Sequence, residues 1–356
     1  MPMTPEQITA FRLNAHFLSS PFSGMPDKLI EKMGAIQAQD FTMAKWALGI
    51  RLSECTNQRI TEAYNRGEIL RTHILRPTWH FVSPLNIRWM LSLSAGRIKS
   101  SSKSRDRDLG ITEELYERTN RIIRKALEGN KCLTKDALAV EIGKARIKTD
   151  TAYMTHFLMR AEAEGIVCSG VMEDNAHTYA LLEERVPSVP VLSKEEALAR
   201  LAQIYFTTRA PATLQDFCWW SNLSLTEAER GFNAIKPEFF PEKINGQTYW
   251  FAHACNPKNP PDNILLLPAF DEYIISYRDR SAALLEETQS KAISSNGVFR
   301  PTVVANGKVI GLWKKVTSGR RYVAVDFFNM PDDLTKKALE RAIGDYNAFF
   351  QRAVLQ

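Results

Sequence analysis

Residues 69–82, Ile69-Leu70-Arg71-Thr72-His73-Ile74-Leu75-Arg76-Pro77-Thr78-Trp79-His80-Phe81-Val82, read as strand, turn and strand. Ahead of this hairpin, hydrophobic periodicity gives a helix over about Thr4 to Ser19, capped by Thr4 with Pro5 in its first turn. A second helix follows over about Pro26 to Ala35, and a third over about Phe41 to Arg51 with Asp40 as its N-cap. A short helix near Ile60 to Arg66 leads into the hairpin. Helices closed by a hairpin make the winged-helix pattern, a helix-turn-helix variant whose hairpin is the wing.

The pattern recurs along the chain. Glu113 to Leu127 is a helix, Thr134 to Ala145 a second opened by Thr134, and Tyr153 to Glu164 a third ending at Gly165. Ile166 to Gly170 and His177 to Leu181 then read as the strands of another wing. A further copy opens on a Ser193/Glu196 capping box and continues through Thr213 to Trp220 and Ser224 to Ile235. It closes on a hairpin at Asn245-Gly246. The C-terminal part differs. Ile264 to Leu267 reads as a buried strand, and Arg300 to Val304, Lys308 to Lys314 and Tyr322 to Phe327 as alternating strands. Asn306-Gly307 turns between two of them, and an amphipathic helix over about Asp332 to Phe350 ends the chain. The fold class expected is α+β: tandem winged-helix domains at 1–95, 96–190 and 191–258, then a mixed α+β unit at 259–356.

Composition narrows the function. The 356 residues are 44% hydrophobic and 24% charged, ordinary for a folded protein, with no run of about 18 apolar residues. The N-terminus lacks the basic start, apolar core and cleavage site of a secretory signal, so the reading is cytoplasmic, with no membrane partner. Five scattered cysteines, without a CxxC pair, and six scattered histidines give neither a disulfide framework nor a metal site. The cysteines read as reduced and mostly buried, and no cofactor or metal is expected. The net charge is +6, and basic residues outnumber acidic ones from Arg88 through Lys125, including GRIKSSSKSRDR. Such a field favours a polyanion, nucleic acid before membrane; the bland alternative is a solvated basic linker.

The candidate chemistry sits at Ile36-Gln37-Ala38-Gln39-Asp40, between two helical patterns. Amides two residues apart lie roughly 200° apart on a helix but point the same way in an extended segment. Gln37 and Gln39 can then converge on one ligand atom; the alternative is two ordinary solvated glutamines at a helix-helix turn. The third helices of the later copies are poor groove readers. Tyr153 to Glu164 offers Met154, His156, Met159 and Arg160 with two glutamates, and the last copy carries Glu227 and Glu229. Neither clusters the Arg, Lys, Asn and Gln that bidentate readout uses.

Four segments together, IQAQDFTMAKWALGIRL, ILRPTWHFVSP, LLPAFDEYIISYRDR and FRPTVVANGKVIGLWKK, resemble the AlkZ/YcaQ family of bacterial DNA glycosylases, over nearly the whole length. The resemblance implies tandem winged-helix domains acting on alkylated purines in double-stranded DNA. Gln37-Ala38-Gln39 matches the double-glutamine version of the family signature, which is associated with bulky adducts and interstrand crosslinks; Gln39 stands where the other branch has Asp. The chemistry implied is coherent. An N7-alkylated purine is cationic and a good leaving group, so an oriented amide need only place a water and favour oxocarbenium-like charge. Gln39 is assigned to the water and Gln37 to holding or sharing it, without metal and without a nucleophilic lysine.

Supporting residues are read with their alternatives. Arg76, Thr78 and His80 share one face of the first hairpin, with Trp79 on the other, and are candidate DNA contacts; His80 equally suits a buried hydrogen bond. Lys314 and Lys315 are candidate phosphate ligands, whereas Trp313 reads as core. Arg280 or Tyr277, and Arg300, are further DNA-contact candidates, in and near a charged cluster of Asp271, Glu272, Tyr273, Arg278, Asp279 and Arg280 that reads as orienting the C-terminal unit. The chain is expected to act as a monomer. Two competing classes remain at this point, a non-catalytic winged-helix regulator and a metal-dependent phosphodiester enzyme. Tandem modules in one chain argue against the first, and the lack of grouped carboxylates against the second.

Overall fold

A computed structural model of the chain describes residues 3–252, 264–316 and 323–351. It is an α+β protein of many short helices and small antiparallel sheets, arranged as two compact units: Met1–Thr61 with Leu198–Gln356, and Glu62–Ala197.

In the first unit, α1 (Pro5–Ala15) opens on a reciprocal capping box between Thr4 and Gln7. It stops short of Ser19 because Phe17 adopts a left-handed backbone (φ 58°), letting the Leu18 amide close onto the Leu13 carbonyl at 2.8 Å. Next come α2 (Pro26–Met33), the short extended segment β1 (Ala35–Gln37), and α3 (Phe41–Gly49). The Asp40 carboxylate accepts from the Met43 amide at 3.0 Å, the N-cap anticipated from sequence. Gly34 (φ 76°) makes the turn from α2 into β1. Then α4 (Asn57–Asn65) leads into the second unit.

The second unit begins with the hairpin β2 (Leu70–Ile74) and β3 (Thr78–Val82). The GRIKSSSKSRDR segment is no linker: it lies within the 23-residue helix α5 (Ile87–Leu109), which runs through the position of the first boundary read from sequence. Ile87, Met90, Leu91, Ser94, Ile98 and Ser102 bury one stripe of it, while Ser94 and Ser100 donate to carbonyls one turn back at 2.8 Å. The serines thus satisfy themselves within the helix instead of solvating a loop. After α5 come α6 (Glu113–Leu127), β4 (Leu133–Thr134), α7 (Lys135–Gly143) and α8 (Thr151–Ala163). The unit ends with β5 (Val167–Ser169), β6 (Thr178–Leu181) and α9 (Leu182–Arg185). Strand β4, absent from the sequence reading, pairs with β6 to complete a β4-β6-β5 sheet over a core of Ile123, Leu127, Leu138, Phe157 and Val167.

The chain re-enters the first unit within α10 (Lys194–Arg209), followed by α11 (Leu214–Ser221), α12 (Leu225–Ile235), β7 (Phe239–Ile244) and β8 (Gln247–Ala252). Asn245 (φ 49°) and Gly246 (φ 79°) make the hairpin turn. A four-stranded antiparallel sheet, β12-β11-β10-β9, follows from β9 (Ile264–Leu267), β10 (Thr302–Ala305), β11 (Lys308–Lys315) and β12 (Val323–Phe327), with α13 (Glu272–Ile275) and α14 (Glu286–Ala292) between β9 and β10. The terminal α15 (Asp333–Gln351) covers α3: Tyr346 and Phe349 each lie 5.2 Å from the Trp46 ring. At Gly49 a Cβ would lie 2.4 Å from a carbon of the Phe349 ring, so a larger residue would push that ring aside. Trp313 is core, as read, donating to the Leu267 carbonyl at 2.7 Å. No helix among the described residues is long and apolar enough to cross a membrane.

Candidate active site

The glutamine motif starts on β1 and ends in the bend before α3. The two glutamines differ: Gln37 is only 5% exposed, whereas Gln39 is exposed. Backbone atoms leading into the motif are held by side chains from distant elements. The Gln37 amide donates to Glu272 Oε1 at 2.9 Å, and Arg209 donates to the Met33 and Ala35 carbonyls, each at 3.0 Å. Arg209 and Glu272 are themselves an ion pair at 2.9 Å, both 0% exposed. Glu272 Oε2 also accepts from the Trp220 indole at 2.9 Å and the Ser276 hydroxyl at 2.7 Å. Desolvating both ions costs several kcal/mol each, which only such dense hydrogen bonding offsets.

Other buried charges nearby are also hydrogen-bonded. Asp271 takes a bidentate pair from Arg51 (2.6 and 2.8 Å) and caps α13 through the Tyr273 amide at 2.9 Å. Asp216 accepts from the Arg278 and Asp279 amides and from Thr213. Tyr277 donates to the Arg209 carbonyl at 2.9 Å, meets His16 Nε2 at 2.8 Å, and carries Arg12 over its ring at 3.6 Å. Burial first, then the positive charges of Arg51, Arg209 and Arg12, hold the His16 pKa well below its ordinary value.

That depression has a consequence for stability. Above the unfolded-state pKa of about 6.5, His16 is neutral in both states; below it, the unfolded chain binds a proton that the folded chain rejects. Stability therefore falls as pH drops through about 6.5, by up to about 1.4 kcal/mol per pH unit from this group. Urea unfolding between about pH 7.5 and pH 5.5 should show that slope flattened in His16→Gln, which keeps a partner for Tyr277. Equal slopes in the two proteins would remove His16 as the cause.

The other residues singled out from sequence fall in both compact units. Arg76, Thr78 and His80 belong to the second compact unit. Arg76 and Thr78 are half-buried; His80 is fully buried and its Nδ1 donates to the Thr78 carbonyl at 2.9 Å. Trp79, on the opposite face as read, lies against His73 (4.1 Å) and under Arg71 (4.3 Å). In the first unit Lys314, Lys315 and Arg300 are exposed. Arg280 is folded back onto the Ile274 and Arg278 carbonyls and over Trp219 and Phe299. Of the cysteines, Cys168 is buried and Cys55, Cys132 and Cys218 half-buried; Cys255 lies outside the described residues. Burial pushes the Cys55 thiol up to about 11 and the Cys168 thiol up to about 12, so neither is a ready nucleophile. Sequence reasoning missed Arg209, Arg51 and Trp220. The available signal was an arginine following a largely apolar run, as in MAKWALGIRL ending at Arg51.

This fold is that of a solved DNA glycosylase: AlkZ of Streptomyces sahachiroi matches with a TM-score of 0.81 at 20% identity, over 98% of this chain and 97% of that one. The sequence matches the family described as "DNA glycosylase AlkZ-like" over residues 30–349, and the chain belongs to that family. A relative named "Interstrand DNA cross-link repair glycosylase", from Streptomyces sahachiroi, is 22% identical over 350 residues, 94% of this chain and 93% of that protein. The protein is therefore a DNA glycosylase, an enzyme acting on N-glycosyl bonds.

Proposed function

We propose that this enzyme hydrolyses the N-glycosidic bond of cationic N7-alkylated purines in duplex DNA, bulky adducts and interstrand crosslinks included, using a water placed by Gln39. The observation that carries this reading is the asymmetry of the motif: Gln39 is exposed at the start of α3 while Gln37 is buried beside it. An exposed amide oxygen can accept a hydrogen bond from the attacking water while its dipole favours positive charge at the sugar. The buried Gln37 sets the frame. A neutral amide is a feeble base, so the reaction is confined to leaving groups already activated by alkylation. The relative named for cross-link repair supports extending the substrate range beyond small methyl lesions.

In this reading the three helix-hairpin groups are tandem winged-helix domains (1–95, 96–190, 191–258), and 259–356 is the C-terminal unit. Exposed Lys314, Lys315 and Arg300 contact phosphates, with Arg76, Thr78, His80 and Arg280 as further candidates at the DNA, and the enzyme acts as a monomer without metal. The test is release of free base, in EDTA, from duplexes carrying N7-methylguanine or a purine-purine crosslink. Release from at least one, and none from unmodified DNA, is the expected result. Tight binding without release from either substrate would sink the proposal.

A further inference from the structure

We propose that Glu272 and Arg209 are positioning residues for catalysis: they hold the backbone of the glutamine motif so that Gln39 presents its amide at a fixed place. The proposal rests on the function assigned to Gln39 above. A misplacement of a reacting group by about 1 Å can cost about 100-fold in rate, so the backbone that carries Gln39 has to be held in place. Upstream of Gln39, the Met33 carbonyl, the Ala35 carbonyl and the Gln37 amide are bonded to one guanidinium and one carboxylate. These two groups are bonded to each other, and both also bond Ser276: Arg209 Nε donates to Ser276 Oγ at 3.1 Å, and that hydroxyl donates to Glu272 Oε2. Trp220 stacks on the Arg209 guanidinium at 4.2 Å while donating to the same carboxylate oxygen. The adjacent acid Asp271 serves a different purpose: it binds Arg51 and caps the start of α13. The two acids of the Asp271-Glu272 pair therefore divide between stability and site geometry.

The experiment measures single-turnover base release and lesion-DNA affinity for wild type, Glu272→Gln, Gln39→Ala and the double variant, each checked for folding by thermal melting. Glutamine at 272 can still accept from the Gln37 amide but no longer neutralises Arg209. We expect Glu272→Gln to slow release about 10- to 100-fold with affinity unchanged, and to cause no further loss in the Gln39→Ala background. The same fold loss in both backgrounds would mark Glu272 as merely structural and overturn the proposal. If Glu272→Gln does not fold, Ser276→Ala, which leaves the ion pair in place, carries the same cycle with an expected loss of about three- to tenfold. Should Gln39→Ala release base at the wild-type rate, the glutamine mechanism falls and takes the positioning role with it; additive losses would overturn the positioning role alone.

Discussion

Replacing Gln39 with alanine is expected to slow base release roughly 100- to 10,000-fold, the range associated with removing one acceptor or stabilising dipole at a reacting centre. The reason is positional. Gln39 is the exposed member of the pair, and in the proposed mechanism its amide is the group that meets water and sugar together. DNA affinity should change by less than about twofold, because a neutral side chain contributes nothing to phosphate neutralisation. Gln37→Ala should also slow release, but as a buried residue it should lower the unfolding midpoint as well. Single-turnover kinetics at saturating enzyme separates these effects, since the rate constant reports the chemical step and melting reports the fold. A Gln39→Ala enzyme within a factor of about three of wild type would show that the water is held by another group.

Arg51→Met is expected to destabilise the protein by about 3–5 kcal/mol. Arg51 and Asp271 are 0% and 1% exposed in their side chains, and the variant would leave the Asp271 carboxylate buried without its bidentate partner. The double variant Arg51→Met/Asp271→Leu should recover part of that loss, because removing both charges removes the unpaired one. Not all returns, since Asp271 also caps α13. Urea denaturation with a constant slope measures each value. A loss below about 1 kcal/mol for Arg51→Met would mean that water reaches Asp271 and that the pair is not desolvated.

Local elements were the legible part of the chain. Helix α6 occupies Glu113–Leu127 as read, and the caps at Thr4, Asp40, Thr134 and Ser193 and the turns at Asn245-Gly246 and Asn306-Gly307 stand where the residues place them. Each rests on a bond between residues three apart or on one dipeptide's tolerance of positive φ. Helix α5 was not legible. Its serines and basic residues have the composition of a loop, and the stripe that makes it helical counts only when something buries it.

For the candidate site, the Gln-Ala-Gln spacing follows from the sequence, as does the α+β class. The burial of Gln37 against the exposure of Gln39, and the use of Asp271 for Arg51 but Glu272 for Arg209 and β1, were decided by the tertiary structure. Glu272 lies 235 positions from Gln37 and 63 from Arg209 in the chain, so no local pattern records the contact. A cap is specified by its neighbours, whereas a buried ion pair exists only after folding has removed water from both partners and left each no other group to bind.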